Sequence, residues 1–184
     1  MVDLLSLQKY FILQHLGEGD TAVDFTMGNG NDTLFLSETV GKTGKVYAFD
    51  IQEDALTSTR NHLETGGAPE NYTLICAAHH RGREIVAEPI KAGMFNLGYL
   101  PRSGRKAVTT MRETTMPAVE AALSLLSPDG ILLIAVYPGH EEGFLEGEML
   151  AKYFATLDRR EICVSRFNIM NSPTSPYFYI AEKK

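Results

Sequence analysis

Tryptophan is absent from the 184 residues, and cysteine occurs only as Cys76 and Cys163. Two distant cysteines exclude a disulfide framework and a cysteine-based zinc or iron–sulfur site, and suit a reducing cytoplasm. Positive charge is not in excess: 17 Lys+Arg stand against 23 Asp+Glu, a formal net charge of -6. A uniformly basic surface that coats nucleic acid is therefore disfavoured, while local basic patches stay open. Long apolar runs are missing too. The longest, residues 131–137, is about a third of the ~20 residues that cross a bilayer and reads as a buried strand. Asp3 and Lys9 interrupt the apolar N-terminus, so neither a secretory signal nor a membrane partner is expected. What is present is 44% hydrophobic residues, enough for the core of one soluble domain over 1–184.

Asp3, then Leu4, Leu5, Leu7, Phe11, Ile12 and Leu16, then Gly17, describe a capped amphipathic helix, expected over a sheet edge. Strands over 21–26, 45–50 and 72–77 alternate with helices over 32–40 and 53–64. That repetition implies parallel strands with right-handed crossovers. A strand over 94–97, a long loop, a helix over 113–126, a strand over 131–137 and a helix over 147–155 follow. Strands over 161–169 and 177–182 have no helix between them, so they pair as a hairpin. The expected fold is α/β and Rossmann-like: a mostly parallel seven-stranded sheet with a C-terminal antiparallel hairpin and helices on both faces.

The most informative stretch is Val23-Asp24-Phe25-Thr26-Met27-Gly28-Asn29-Gly30-Asn31-Asp32-Thr33, a strand entering a glycine turn and then a helix. Such a turn brings backbone close to a ligand at the carboxyl end of the sheet. A dinucleotide fingerprint would need glycine at position 33, which is Thr, and no Gly-Lys-Ser/Thr follows for a P-loop. The surviving pattern resembles class I S-adenosylmethionine (SAM) methyltransferases: Asp24, then Gly28 and Gly30, with Thr26 where a first Gly is common. A turn that merely joins strand to helix is the alternative. Asp50 ends the second strand about 20 residues later, where this architecture accepts ribose hydroxyls; a helix-capping Asp is the alternative. Gln52 lies on the same edge, and His79 follows the third strand, where adenine is normally met. The adjacent His79 and His80 cannot both face one ion from a regular helix, so no metal is expected.

Asn96-Leu97-Gly98-Tyr99 ends the fourth strand, where amine-directed methyltransferases carry Asn/Asp-Pro-Pro-Tyr. Asn96 would accept a hydrogen bond from the substrate amine and Tyr99 would pack on its base. The alternative is a strand end with a structural Asn and a packing Tyr. Leu126-Ser127-Pro128-Asp129-Gly130 resembles the turn before the fifth strand of the same enzymes. Between positions 81 and 112, Arg81, Arg83, Lys91, Arg102, Arg105, Lys106 and Arg112 are opposed only by Glu84 and Glu88. Loops at the carboxyl edge would thus offer cations to phosphates, with an ordinary solvated charge run as the alternative. His140, after the fifth strand, is a candidate to bond substrate or act as a base, with a loop His making structural bonds as the alternative.

Taken together, Asp24 to Thr33, Phe95-Asn96-Leu97-Gly98-Tyr99-Leu100-Pro101, Glu113-Thr114-Thr115 and Tyr137-Pro138-Gly139-His140-Glu141 resemble the small bacterial class I methyltransferases of the YtqB or MnmM type, a group labelled rRNA methylases. The resemblance covers nearly the whole chain. It implies N-methylation of the aminomethyl group of 5-aminomethyl-2-thiouridine at the tRNA wobble position, in the anticodon region, by a cytoplasmic homodimer. It also implies Asn29, Asn31, Asp50, Gln52 and His79 around SAM, and Asn96, Tyr99 and Pro101 at the substrate mouth. Arg102, Arg105 and Lys106 are the expected tRNA phosphate contacts. Phe25 departs from the usual Ala, and Ala77-Ala78 from a frequent Asp-Ser. Methylation of a small-molecule amine or of rRNA, and a non-catalytic nucleotide-binding module, are the competing readings.

Overall fold

The computed structural model describes residues 3–97, 112–139 and 141–184. Along the chain run α1 (Leu4–Ile12), β1 (Thr21–Asp24), α2 (Asn31–Val40), β2 (Lys45–Asp50), α3 (Glu53–Gly66) and β3 (Tyr72–Cys76). A 3-10 turn (His79–Arg81) enters the short α4 (Gly82–Ile85), followed by β4 (Ile90–Leu97), α5 (Arg112–Leu125), β5 (Leu126–Val136), α6 (Glu141–Phe154), β6 (Ile162–Phe167) and β7 (Tyr177–Lys183). The seven strands form one sheet in the order β3-β2-β1-β4-β5-β7-β6. β1 to β5 are parallel neighbours, and β7 lies antiparallel between β5 and β6. The mixed sheet and terminal hairpin are those the alternation of elements implied.

Strand side chains alternate between two cores. Ile131, Leu133 and Ala135 of β5 join Ala92 and Met94 of β4 beneath α1 and α2. Leu132, Ile134 and Val136 join Phe95 and Leu97 on the face covered by α5 and α6. Burial on both faces is why β5 reads as an unbroken apolar run rather than an alternating one. A register shift between Ile90 and Ala92 turns Ile90 to the second face.

Three expectations are corrected. α1 does not cover a sheet edge: Ile12 and Leu16 pack over the interior strands β4, β5 and β7, and the Phe11 ring meets Phe178 edge-on at 6.1 Å. His15, just beyond α1, bonds the Asp129 carbonyl at 3.0 Å, which fixes that position. α6 starts at Glu141 rather than near 147, although Gly143 and Gly147 lower its intrinsic propensity. Gly147 leaves room for the Tyr177 hydroxyl, and its carbonyl accepts a bond from Tyr179 Oη at 3.1 Å. β4 starts at Ile90 rather than 94, because Gly93 breaks the apolar pattern without breaking the strand. The space a Gly93 side chain would take holds Leu132 and the Phe25 ring.

Phe25, the departure from Ala, is 1% exposed. Its ring stacks on Phe95 at 4.3 Å and on Phe49 at 6.0 Å, and it fits because Gly82 and Gly93 carry no side chain there. Among the described residues, no helix is long and apolar enough to cross a membrane.

Candidate active site

The chain leaves β1 through a turn that only glycine fits at one point. Gly30 has φ +82, and a Cβ there would lie 2.9 Å from Thr59 Cγ2 and 3.0 Å from its Cα. Thr59 Oγ1 donates to the Gly28 carbonyl at 3.0 Å, so α3 holds the turn from outside while α2 begins at Asn31. Asp24 supports the same turn from beneath. It is fully buried, accepting from Thr33 Oγ1 at 2.6 Å and from the Thr26 N–H at 3.1 Å. Burial first, then the charges of Asp32 and Asp50, push its carboxyl up to about 7 against those two bonds. Its carboxylate thus faces protein rather than the open edge.

Asp50, the last residue of β2, joins the turn to the start of α3. One carboxylate oxygen accepts from the Gly28 N–H at 3.1 Å and the other from the Gln52 N–H at 3.0 Å. Each oxygen keeps a further lone pair, and the side chain is only half-buried. Gly28, Gly30, Asp50 and Gln52 are therefore brought together as the sequence spacing implied. Asn29 faces outward, its Oδ1 bonded by Ser58 Oγ at 3.1 Å, and Asn31 is exposed on the first turn of α2.

Strand order reverses between β1 and β4, the topological switch point where open α/β sheets bind ligands. Asn96 makes two hydrogen bonds across it. The Asn96 N–H donates to Thr26 Oγ1 at 2.7 Å, and Asn96 Nδ2 donates to Asp32 Oδ2 at 2.6 Å. The second bond fixes the orientation of the Asn96 amide, leaving Oδ1 as an acceptor. Burial, and then the negative charge of Asp32, push the pKa of the Tyr137 hydroxyl up just beyond the end of β5. Asp32 and Tyr137 lie within the motifs that carry the resemblance, but no residue pattern singles them out. Their partners lie on other strands, and the only local signal was their place beside the glycine turn and the β5 end.

His79 follows β3, with its ring edge-on to Phe95 at 5.8 Å. Burial first, then His80, lower its pKa to about 4, while a hydrogen bond to the Thr114 backbone acts in the opposite sense. The ring is neutral at pH 7, and its Nε2 is buried with no hydrogen-bond partner among the described residues.

The basic segment is less uniform than the sequence suggested. Lys91 is at the amino end of β4, away from the switch point, and bonds Pro128 O and Asp129 Oδ2, both at 3.2 Å. Arg81 pairs with Glu84 and Arg112 with Glu142, each at 2.9 Å. The expectation that the whole run offers cations at the carboxyl edge fails for Lys91, because β4 extends back past it. Tyr99, Pro101, Arg102, Arg105, Lys106 and His140 lie outside the described residues. Among the described residues, no group of three or more His, Cys, Asp or Glu is arranged to hold a metal ion.

The comparisons with known proteins agree with this fold. The family described as "Putative rRNA methylase" matches residues 46–183, and the ubiE/COQ5 methyltransferase family matches residues 3–85. A protein of Arabidopsis thaliana named tRNA (mnm(5)s(2)U34)-methyltransferase, chloroplastic, is 37% identical over 93% of this chain. The chain spans 66% of that relative's length and 32% of an archaeal tRNA (adenine(57)-N(1)/adenine(58)-N(1))-methyltransferase from Methanocaldococcus jannaschii. A crystal structure of a putative rRNA methylase from Clostridium thermocellum superposes with a TM-score of 0.95 at 37% identity, covering 100% of this chain and 99% of the other. A putative methyltransferase from Streptococcus mutans, solved in complex with SAH, gives a TM-score of 0.89 at 36% identity, with coverage of 100% and 99%. The chain belongs to the putative rRNA methylase family of SAM-dependent methyltransferases.

Proposed function

We propose that the protein methylates the aminomethyl nitrogen of 5-aminomethyl-2-thiouridine at the wobble position of tRNA. The observation that carries this reading is the 37% identity, over 93% of the chain, to a relative whose name specifies the methylaminomethyl form of that nucleoside, at position 34 of tRNA. The geometry supports it with an acceptor amide, Asn96, oriented at the switch point next to a cradle that fits SAM. The fit rests on the remaining lone pairs of Asp50 and on His79 Nε2, buried and without a hydrogen-bond partner among the described residues.

In this reading Asp50 takes the ribose hydroxyls, Gln52 the same nucleoside edge, and Gly28, Asn29, Gly30 and Asn31 line the cofactor turn. The His79 ring donates to the Thr114 backbone and so keeps its Nε2 lone pair for the adenine amino group. Asp24 acts from beneath by holding Thr33 and Thr26 in place. SAM, when bound, supplies an electrophilic methyl on a sulfonium. Asn96 Oδ1 accepts a hydrogen bond from the amine and orients its lone pair, and that alignment is where most of the acceleration arises. Tyr99, Pro101 and His140 complete the substrate mouth, with Arg102, Arg105 and Lys106 on tRNA phosphates. A homodimer and a cytoplasmic setting belong to the same reading.

The test is incubation with labelled SAM and tRNA from a strain lacking the methylated wobble base, followed by nucleoside mass spectrometry. Conversion of 5-aminomethyl-2-thiouridine to its methylaminomethyl form is expected. Label in another nucleoside, in rRNA, or only in a small-molecule amine overturns the assignment.

A further inference from the structure

The Asn96 amide is held by a carboxylate that the cofactor cradle does not use. Asp32 sits in the first turn of α2, half-buried, and accepts from Asn96 Nδ2 at 2.6 Å across the switch point. A carboxylate there usually serves only to complement the helix dipole. This one is turned instead onto the end of β4 through its bond to Asn96. Its charge also acts on Asp24, at the end of β1, and on the Tyr137 hydroxyl, just beyond β5. Among the described residues, no Lys, Arg or His is paired with it.

Resting on the function proposed above, we infer that Asp32 is the anionic group at the amine end of the site. With Asn96 it holds the aminomethyl nitrogen and stabilises the positive charge that nitrogen acquires. During transfer the amine lone pair forms the new N–C bond, and the S–C bond breaks with its electron pair left on sulfur. Positive charge thereby passes from sulfur to nitrogen, and the secondary ammonium afterwards releases one proton to water. A fixed carboxylate nearer the nitrogen than the sulfur favours that displacement. It also favours the protonated amine beforehand, so it raises the pH at which the bound amine becomes reactive. The same charge selects a cationic or neutral aminomethyl group over an acidic substituent at that carbon.

The experiment compares the parent with Asp32→Asn, which keeps the size of the side chain and removes its charge. Single-turnover rates are measured across pH with saturating SAM and tRNA bearing 5-aminomethyl-2-thiouridine, and SAM affinity by calorimetry. The expected plateau rate falls about ten- to a hundred-fold, the midpoint of the pH profile moves about one unit lower, and SAM affinity stays within about threefold. A purely structural role would slow the reaction without moving the midpoint, and that result overturns the inference. So does a tenfold loss of SAM affinity at an unmoved midpoint, which would make Asp32 a cofactor contact. If Asp32→Asn does not fold, Asp32→Glu keeps the charge and displaces the bond: a slower rate at the parent midpoint supports the inference, and a lowered midpoint overturns it. A parent that leaves this nucleoside unmethylated overturns the functional reading and the inference together; an active parent with an indifferent variant overturns the inference alone.

Discussion

Thr26 and Asn96 are 70 positions apart, yet the threonine hydroxyl accepts the Asn96 backbone N–H at 2.7 Å. The threonine that stands where a first glycine is common thus ties the end of β1 to the end of β4. Thr26→Val keeps the shape and removes the acceptor, leaving a part-buried N–H without its partner. The expected loss of stability is about 1–2 kcal/mol, read by denaturant unfolding. A fall in turnover with SAM affinity retained should accompany it, because the bond positions the amine end and not the cradle.

Asp50 links the glycine turn to α3 and offers its remaining lone pairs at the open edge. Asp50→Ala should weaken SAM binding about ten- to a hundred-fold, the loss of one or two hydrogen bonds to a charged acceptor. Calorimetry decides it, and an unchanged affinity would remove Asp50 from the cofactor site.

Phe25 fills space left by two glycines, so truncating it opens a cavity in the core behind the turn. Phe25→Ala should cost about 3–5 kcal/mol. Gly82→Ala alone would bring a Cβ to 3.0 Å from the Phe25 ring, to which the three nearest atoms it would meet all belong. Its cost should therefore be smaller in the Phe25→Ala background than in the parent, a coupling measurable by a double-mutant cycle.

The pKa of His79 is lowered in the fold, from 6.5 to about 4. The unfolded chain takes up the proton first as pH falls, so this group's contribution to stability is full above pH 6.5 and is lost on the way down to about 4. Compared with His79→Gln, the parent should lose stability over that window in a difference curve of unfolding free energy against pH. Asp24, raised to about 7 mainly by burial, works in the opposite sense: its contribution is full below the ordinary carboxylate range near 4 and fades as pH rises to 7. The two titrations oppose each other over the same window, and only the difference curves of single variants separate them. A flat His79→Gln difference curve would contradict the depressed ionisation.

The sequence by itself determined the elements whose signals are local. β2 runs over Lys45–Asp50, the bounds the sequence implied, and Asp50 stands at its end as the spacing from the glycine turn required. The hairpin of β6 and β7 followed from two strands with no helix between them. Tertiary structure decided what depends on partners far along the chain. α1 covers interior strands because Phe178 and Asp129 lie there to receive it; α6 extends through two glycines because Tyr177 needs the room. Asp24 and Asp32 are both acidic residues of one motif, and no pattern of residue types separates them. The fold does so by burying the first against Thr33 and turning the second across the switch point to Asn96, a contact spanning 64 positions that exists only once β4 has paired beside β1.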